Sequence, residues 1–193
     1  MTRPLSDIPW TEKLDYFSAA SSIMFALYSV VIRMFHLYTS SGSRQIPSSH
    51  SSSAPHPALK LWTVTCLLAY IGHVTYLTML PRFDYAYNMA FNLILGLTHN
   101  ALWTIYSLPS SRSLLPRFPF QPKAYRPAFV NKAFVFVLLT TAATALELLD
   151  FPPWMFIIDA HALWHLSTVP IVKFWYDFLV EDALDEGWKL QKG

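Results

Sequence analysis

The stretch Asp159-Ala-His-Ala-Leu-Trp-His165 sets two imidazoles four residues apart at the head of a long apolar run. On a helix, residues four apart lie on one face, one turn above the other. Two imidazoles so placed can grip one metal ion. The plain alternative is a pair of histidines that hydrogen-bond to neighbouring helices. Ionisable groups inside a bilayer are costly and stand as functional candidates by default, so metal or proton chemistry at His161 and His165 weighs as heavily as packing. Asp159, two residues from His161, points elsewhere around such a helix and suits a packing or capping role with the Asp150 turn. A second carboxylate, Asp15 in Thr11-Glu-Lys-Leu-Asp-Tyr-Phe17, opens the first apolar run. The helix dipole alone favours a carboxylate there; the chemical reading is a general acid or base beside the metal.

Helices must position these groups. Five runs are long enough to cross a hydrocarbon core, which takes about 20 mostly apolar residues: roughly 16–38, 59–80, 85–108, 133–149 and 154–180. Helices follow because an open strand in lipid leaves backbone groups unpaired. The expected fold is an all-α polytopic membrane protein, one membrane domain over 1–193. At 1.5 Å per residue, Asp15 lies roughly 6 Å past Thr11 but His165 roughly 18 Å past Pro153, so the pair needs offset helices or a water-filled cavity.

The connections agree with five crossings. Residues 39–58 are rich in Ser and Pro and 109–127 in Pro and Arg, both expected as loops. Pro81–Asp84 and Asp150–Pro153 are tight turns. Arg3, Lys13 and Arg82 fall on one face, whereas Arg44, Lys60, Arg112, Arg117, Lys123, Arg126, Lys132, Lys189 and Lys192 fall on the other, with Arg33 and Lys173 near it. By the positive-inside bias the basic face, including both long loops and the tail 181–193, is cytosolic, and the N-terminus is luminal.

Composition narrows the function. Hydrophobic residues make up 53% of the 193 and charged residues only 13%, half the share usual in soluble domains. A net charge of +2 is too small to point to a nucleic-acid binder. One cysteine, Cys66, excludes an intrachain disulfide framework. Single imidazoles at His73 and His99 read as helix–helix hydrogen-bonders, and Asn88, Asn92 and Gly96 as interhelical glue on one face with His99. Lys173 and Asp177, four apart, read as a surface pair.

The blocks "TEKLDYF" (11–17), "LELLDFPP" (146–153) and "DAHALWH" (159–165) resemble the post-GPI attachment to proteins factor 3 family, part of a wider superfamily of seven-helix membrane hydrolases that includes the alkaline ceramidases. The resemblance implies that these five helices are the C-terminal part of a seven-helix bundle. It implies a multi-pass enzyme of the endoplasmic reticulum membrane, or of the Golgi, in GPI-anchor biosynthesis. The implied substrates are GPI-anchored proteins, whose lipid is remodelled by phospholipase A2-type removal of the sn-2 acyl chain. The implied chemistry is zinc-dependent hydrolysis, with His161 and His165 at two of three ligand positions and Asp15 at the position of the family's Asp. The family carries a Ser-x-x-x-His element upstream of the segment matching 1–17. The third ligand and the serine are therefore expected to lie outside this chain, which reads as N-terminally truncated and inactive alone. Two other readings stand beside this one: a related hydrolase cleaving ceramide amides, and a non-catalytic membrane assembly factor.

Overall fold

The computed structural model describes residues 9–37, 57–149, 151, 153 and 158–189; the side chains of Pro9, Trp10, Glu12, Glu147 and His161 are outside that description. The described residues are all helical in class, with five α-helices: α1 Pro9–Phe35, α2 Pro57–Met79, α3 Tyr85–Ser107, α4 Val130–Leu149 and α5 Ala160–Leu184. Two stretches, Lys13–Phe35 and Pro57–Met79, are long and apolar enough to cross a membrane, and Val130–Leu146 is a shorter apolar helix.

The chain is described as two compact units, Met1–His99 and Asn100–Gly193. In the first, α1 buries Ala20, Met24, Leu27, Val30 and Met34, a stripe at helical spacing. Polar groups at its edge fasten it to α2: the Tyr70 hydroxyl donates to the Phe17 carbonyl at 3.1 Å, and the Trp62 indole to the Tyr28 carbonyl at 3.3 Å. Tyr16 stacks on Phe83 of the α2–α3 turn at 4.9 Å. Asp84 ends that turn and caps α3, its side chain accepting from the Tyr87 amide at 2.9 Å.

α1 stops at Phe35, short of the expected 38, for a local reason. His36 adopts φ 51, and the Leu37 amide reaches back to the Ile32 carbonyl at 3.2 Å. That is the six-to-one bond of a Schellman ending, with histidine where glycine is common.

In the second unit α4 and α5 pack as a hairpin. Phe136, Ala143 and Ile171 form a buried cluster to which Trp164, Phe174 and Trp175 add. Phe136 stacks on Trp175 at 4.0 Å, and Trp103 of α3 meets Trp175 edge-on at 4.8 Å. Large apolar side chains nevertheless remain exposed along the helices: Leu61 is 70% exposed, Leu166 68% and Val169 69%. Water disfavours such surfaces and lipid does not. The foreseen Lys173–Asp177 pair forms at 2.8 Å on α5.

Candidate functional site

The two histidines stand on α5, and the chain fixes where that helix begins. Asp159 is extended, at φ −110 and ψ 177, and its carboxylate accepts from the Ala162 amide at 2.7 Å. This is an N-cap, the capping role its spacing suggested; Asp150 lies outside the described residues. α5 therefore starts at Ala160 and runs on to Leu184; residues 154–157, where the sequence reading began this helix, lie outside the described residues. Replacing Asp159 by Ala orphans one first-turn amide and is expected to cost about 1 kcal/mol. A thermal melt should fall by about 2–4 °C while Asp159→Asn stays near the parent. An unchanged melt in the alanine variant would show that the cap contributes nothing.

Positions 161 and 165 fall within the first turns of α5 and share one face of it. At about 100° per residue, that face is turned roughly a right angle from the stripe of Trp164, Ile171, Phe174 and Trp175 that packs in the hairpin core. His165 is exposed, heading a column of exposed residues, Val169, Val172 and Tyr176. Its ring lies 4.5 Å from that of Trp164, and its carbonyl accepts from the Thr168 hydroxyl at 2.7 Å. Sequence reasoning expected an imidazole buried among helices; α4 occupies the other stripe and leaves this one open. His161 has a helical backbone, and its side chain is outside the description.

Behind the histidine stripe runs an apolar groove of about 590 Å³ between α4 and α5, lined by residues including Ala142, Ala143, Ser167 and Pro170. Two alanines present little volume on one wall. On the other, Pro170 sits inside the helix and offers no amide to the carbonyl one turn back.

Asp15 is a residue of the first unit, one and a half turns into α1, with an exposed side chain. Its carbonyl accepts from the Ser18 hydroxyl at 2.8 Å. Ser21 and Ser22 both donate to the Ser18 carbonyl, at 2.8 and 2.9 Å. These hydroxyls are thus engaged with their own helix. Asp15 belongs to the first unit and the histidines to the second.

Of the two single histidines read as hydrogen-bonders, His73 behaves otherwise. His73 is 1% exposed and stacks on Phe91 at 3.9 Å, yet neither ring nitrogen has a hydrogen-bond partner among the described residues. Nothing in a single imidazole mid-run distinguishes that state from a satisfied one.

Known proteins resemble this chain along most of its length. Residues 4–183 match the Per1-like family. The protein named PER1 homolog from Schizosaccharomyces pombe is 39% identical over 193 residues, covering 98% of this chain and 49% of its own. GPI-specific phospholipase A2-like PGAP3 is 34% identical in Homo sapiens, over 92% of this chain and 46% of the relative. In Danio rerio it is 37% identical, over 90% and 46%. The chain spans about half the length of the curated relatives it matches. No solved structure matches it significantly.

Proposed function

The chain belongs to the Per1-like family, and from that premise we propose that it serves the lipid remodelling of GPI anchors, as a multi-pass membrane protein of the secretory pathway that cleaves the sn-2 acyl ester. The observation that carries this reading is the open stripe of α5: an i, i+4 histidine pair, His165 exposed, on a face the hairpin core does not use. The names of the relatives support the substrate class, since several are called GPI-specific phospholipase A2-like.

All five helices cross the bilayer in this reading, with the N-terminus luminal and the basic loops cytosolic. His161 and His165 would hold zinc as two of its protein donors, imidazole being a fitting ligand for that ion. Zinc would supply Lewis acidity at an open coordination position. Asp15 takes the proton of the attacking water and returns it to the glyceryl oxygen as the ester C–O bond breaks. Val169 and Val172, exposed on the histidine face beyond His165, give the departing acyl chain an apolar track.

The test is expression in cells lacking their own remodeller, with the sn-2 chain of GPI anchors read by mass spectrometry. The chain is expressed alone and extended at its N-terminus by the corresponding segment of the Schizosaccharomyces pombe relative. Restoration of saturated anchors by the extended form is the expected result. Purified extended protein should release fatty acid from GPI lipid and leave ceramide intact. Cleavage of ceramide would instead select the amide hydrolase, and a metal-free, inert protein the assembly factor.

A further inference from the structure

The α2–α3 interface of the first unit carries a cluster of polar side chains apart from the proposed chemistry. His73 is 1% exposed and Asn88 4%. Both His73 nitrogens and the Asn92 Oδ1 are buried and lack hydrogen-bond partners among the described residues. Asn88 lies beside the imidazole but outside hydrogen-bonding geometry, and its own Oδ1 accepts from Asn92 Nδ2 at 3.4 Å. The ring cannot simply turn away, because it is held flat against Phe91 at 3.9 Å and 15° and near Tyr87 at 5.5 Å.

The groups share one level of the membrane-length helices. His73 precedes the end of α2 at Met79 by about 9 Å of rise, and Asn92 follows the start of α3 at Tyr85 by about 10 Å. Asn88, Asn92 and Gly96 lie on one face of α3 at successive four-residue steps. A side chain carbon built on the half-buried Gly96 would meet nothing within 4 Å, so the face that carries Asn92 has room one turn along.

Donor and acceptor nitrogens on a neutral imidazole, with an unpaired amide oxygen at the same level of α3, ask for a neutral partner that both donates and accepts. A carboxylate or a metal cation does not answer that set, and atoms this enclosed admit little larger than one small molecule. We infer that His73, Asn88 and Asn92 form a binding site for ordered water between α2 and α3. Water there bridges the imidazole to the Asn92 Oδ1, as buried water does for polar groups the protein leaves unpaired. The inference concerns neither the α5 histidines nor Asp15, so it stands or falls without the hydrolase reading.

Two measurements on the full chain test it. First, the delipidated protein is labelled with 15N-histidine and placed in nanodiscs of dioleoyl phosphatidylcholine, which has no hydroxyl group. Magic-angle-spinning spectra should show polarisation transfer from water to the ring nitrogens of His73, identified by their loss in His73→Phe. A transfer seen only after adding a hydroxyl-bearing lipid would assign the site to that lipid and overturn the inference. So would no transfer, or a ring bonded directly to Asn88 and released by Asn88→Leu.

Second, thermal melts separate a wet interface from a dry one by sign. With water present, His73→Phe strands Asn92 and its water, and Tm falls by about 4 °C. Asn92→Leu falls likewise, and the double variant falls by less than the two losses added, because the water is gone with both its anchors and only Asn88 keeps an unpaired group. In a dry interface His73→Phe removes two unpaired nitrogens and raises Tm. A rise would overturn the inference.

Discussion

Replacing His165 with Ala is expected to abolish zinc binding and lower GPI-anchor remodelling by at least about 10²-fold, with no measurable loss of stability. The asymmetry follows from position. His165 is exposed and off the stripe by which α5 packs, so its removal opens no cavity. An exposed substitution of this kind changes stability by about 0.5 kcal/mol or less. His161→Ala shares the loss of metal. Asp15→Asn separates the roles: activity should fall by about 10²–10⁴-fold, the usual worth of a general acid or base, while zinc stays bound. The assay uses the N-terminally extended form, with zinc counted by plasma emission in protein purified without chelator. Retained zinc and activity in His165→Ala would remove the metal from the mechanism. Zinc lost together with the fold, seen as a collapsed melt, would make the histidine structural.

What the sequence made legible was whatever depended on local periodicity or on backbone capping. Apolar runs located all five helices, and Pro81–Asp84 was readable as a turn because Asp84 both ends it and caps α3. Lys173 and Asp177 were readable because the i, i+4 step fixes the distance by itself. The end of α1 was not, since it depends on His36 entering the left-handed region, which residues other than glycine enter in only a few per cent of cases. The division into two units was not either, because no linker marks it and the boundary falls inside α3. Of the candidate site, residue types and helical register could be read, but not that α4 would claim the neighbouring stripe and leave His165 exposed. His73 was misread for a related reason: a period places a side chain on a face and says nothing of whether its nitrogens find partners.

Arg117 is the sharpest case of a residue whose role charge counting hides, and it carries the second large prediction. Counted as one more cation of a basic loop, it is 3% exposed. Its Nε donates to the Tyr106 carbonyl at 2.9 Å, Nη1 to the carbonyls of Tyr125 and Lys123 at 3.2 and 3.4 Å, and Nη2 to that of Leu108. Burial, then repulsion from Arg126, push its pKa down, yet a guanidinium stays charged. It therefore sets a fixed positive charge against the negative end of α3 and knots residues 109–127 onto it. The same helix end is tied to the last turn of α5 and the chain just beyond it. The Tyr106 hydroxyl donates to the buried Asp182 at 2.7 Å, the Tyr125 hydroxyl to Asp185 at 2.9 Å, and the Trp188 indole to the Asp182 carbonyl at 2.7 Å. Gly187 closes the knot, since a side chain carbon there would stand 2.7 Å from the Phe118 ring. Arg117→Ala orphans one buried and several partly buried carbonyls at once and is expected to cost on the order of 3 kcal/mol. In a thermal melt that is a fall of about 6–12 °C, with trypsin cleavage in 109–127 accelerated. Arg117→Lys should recover only part of the loss, because an ammonium cannot fork to carbonyls on both sides. A melt of Arg117→Ala within about 1 °C of the parent would dissolve the knot, and full recovery by lysine would reduce it to charge alone. Either outcome would leave the hydrolase reading untouched, because this network lies at the far end of α5 from His161 and His165.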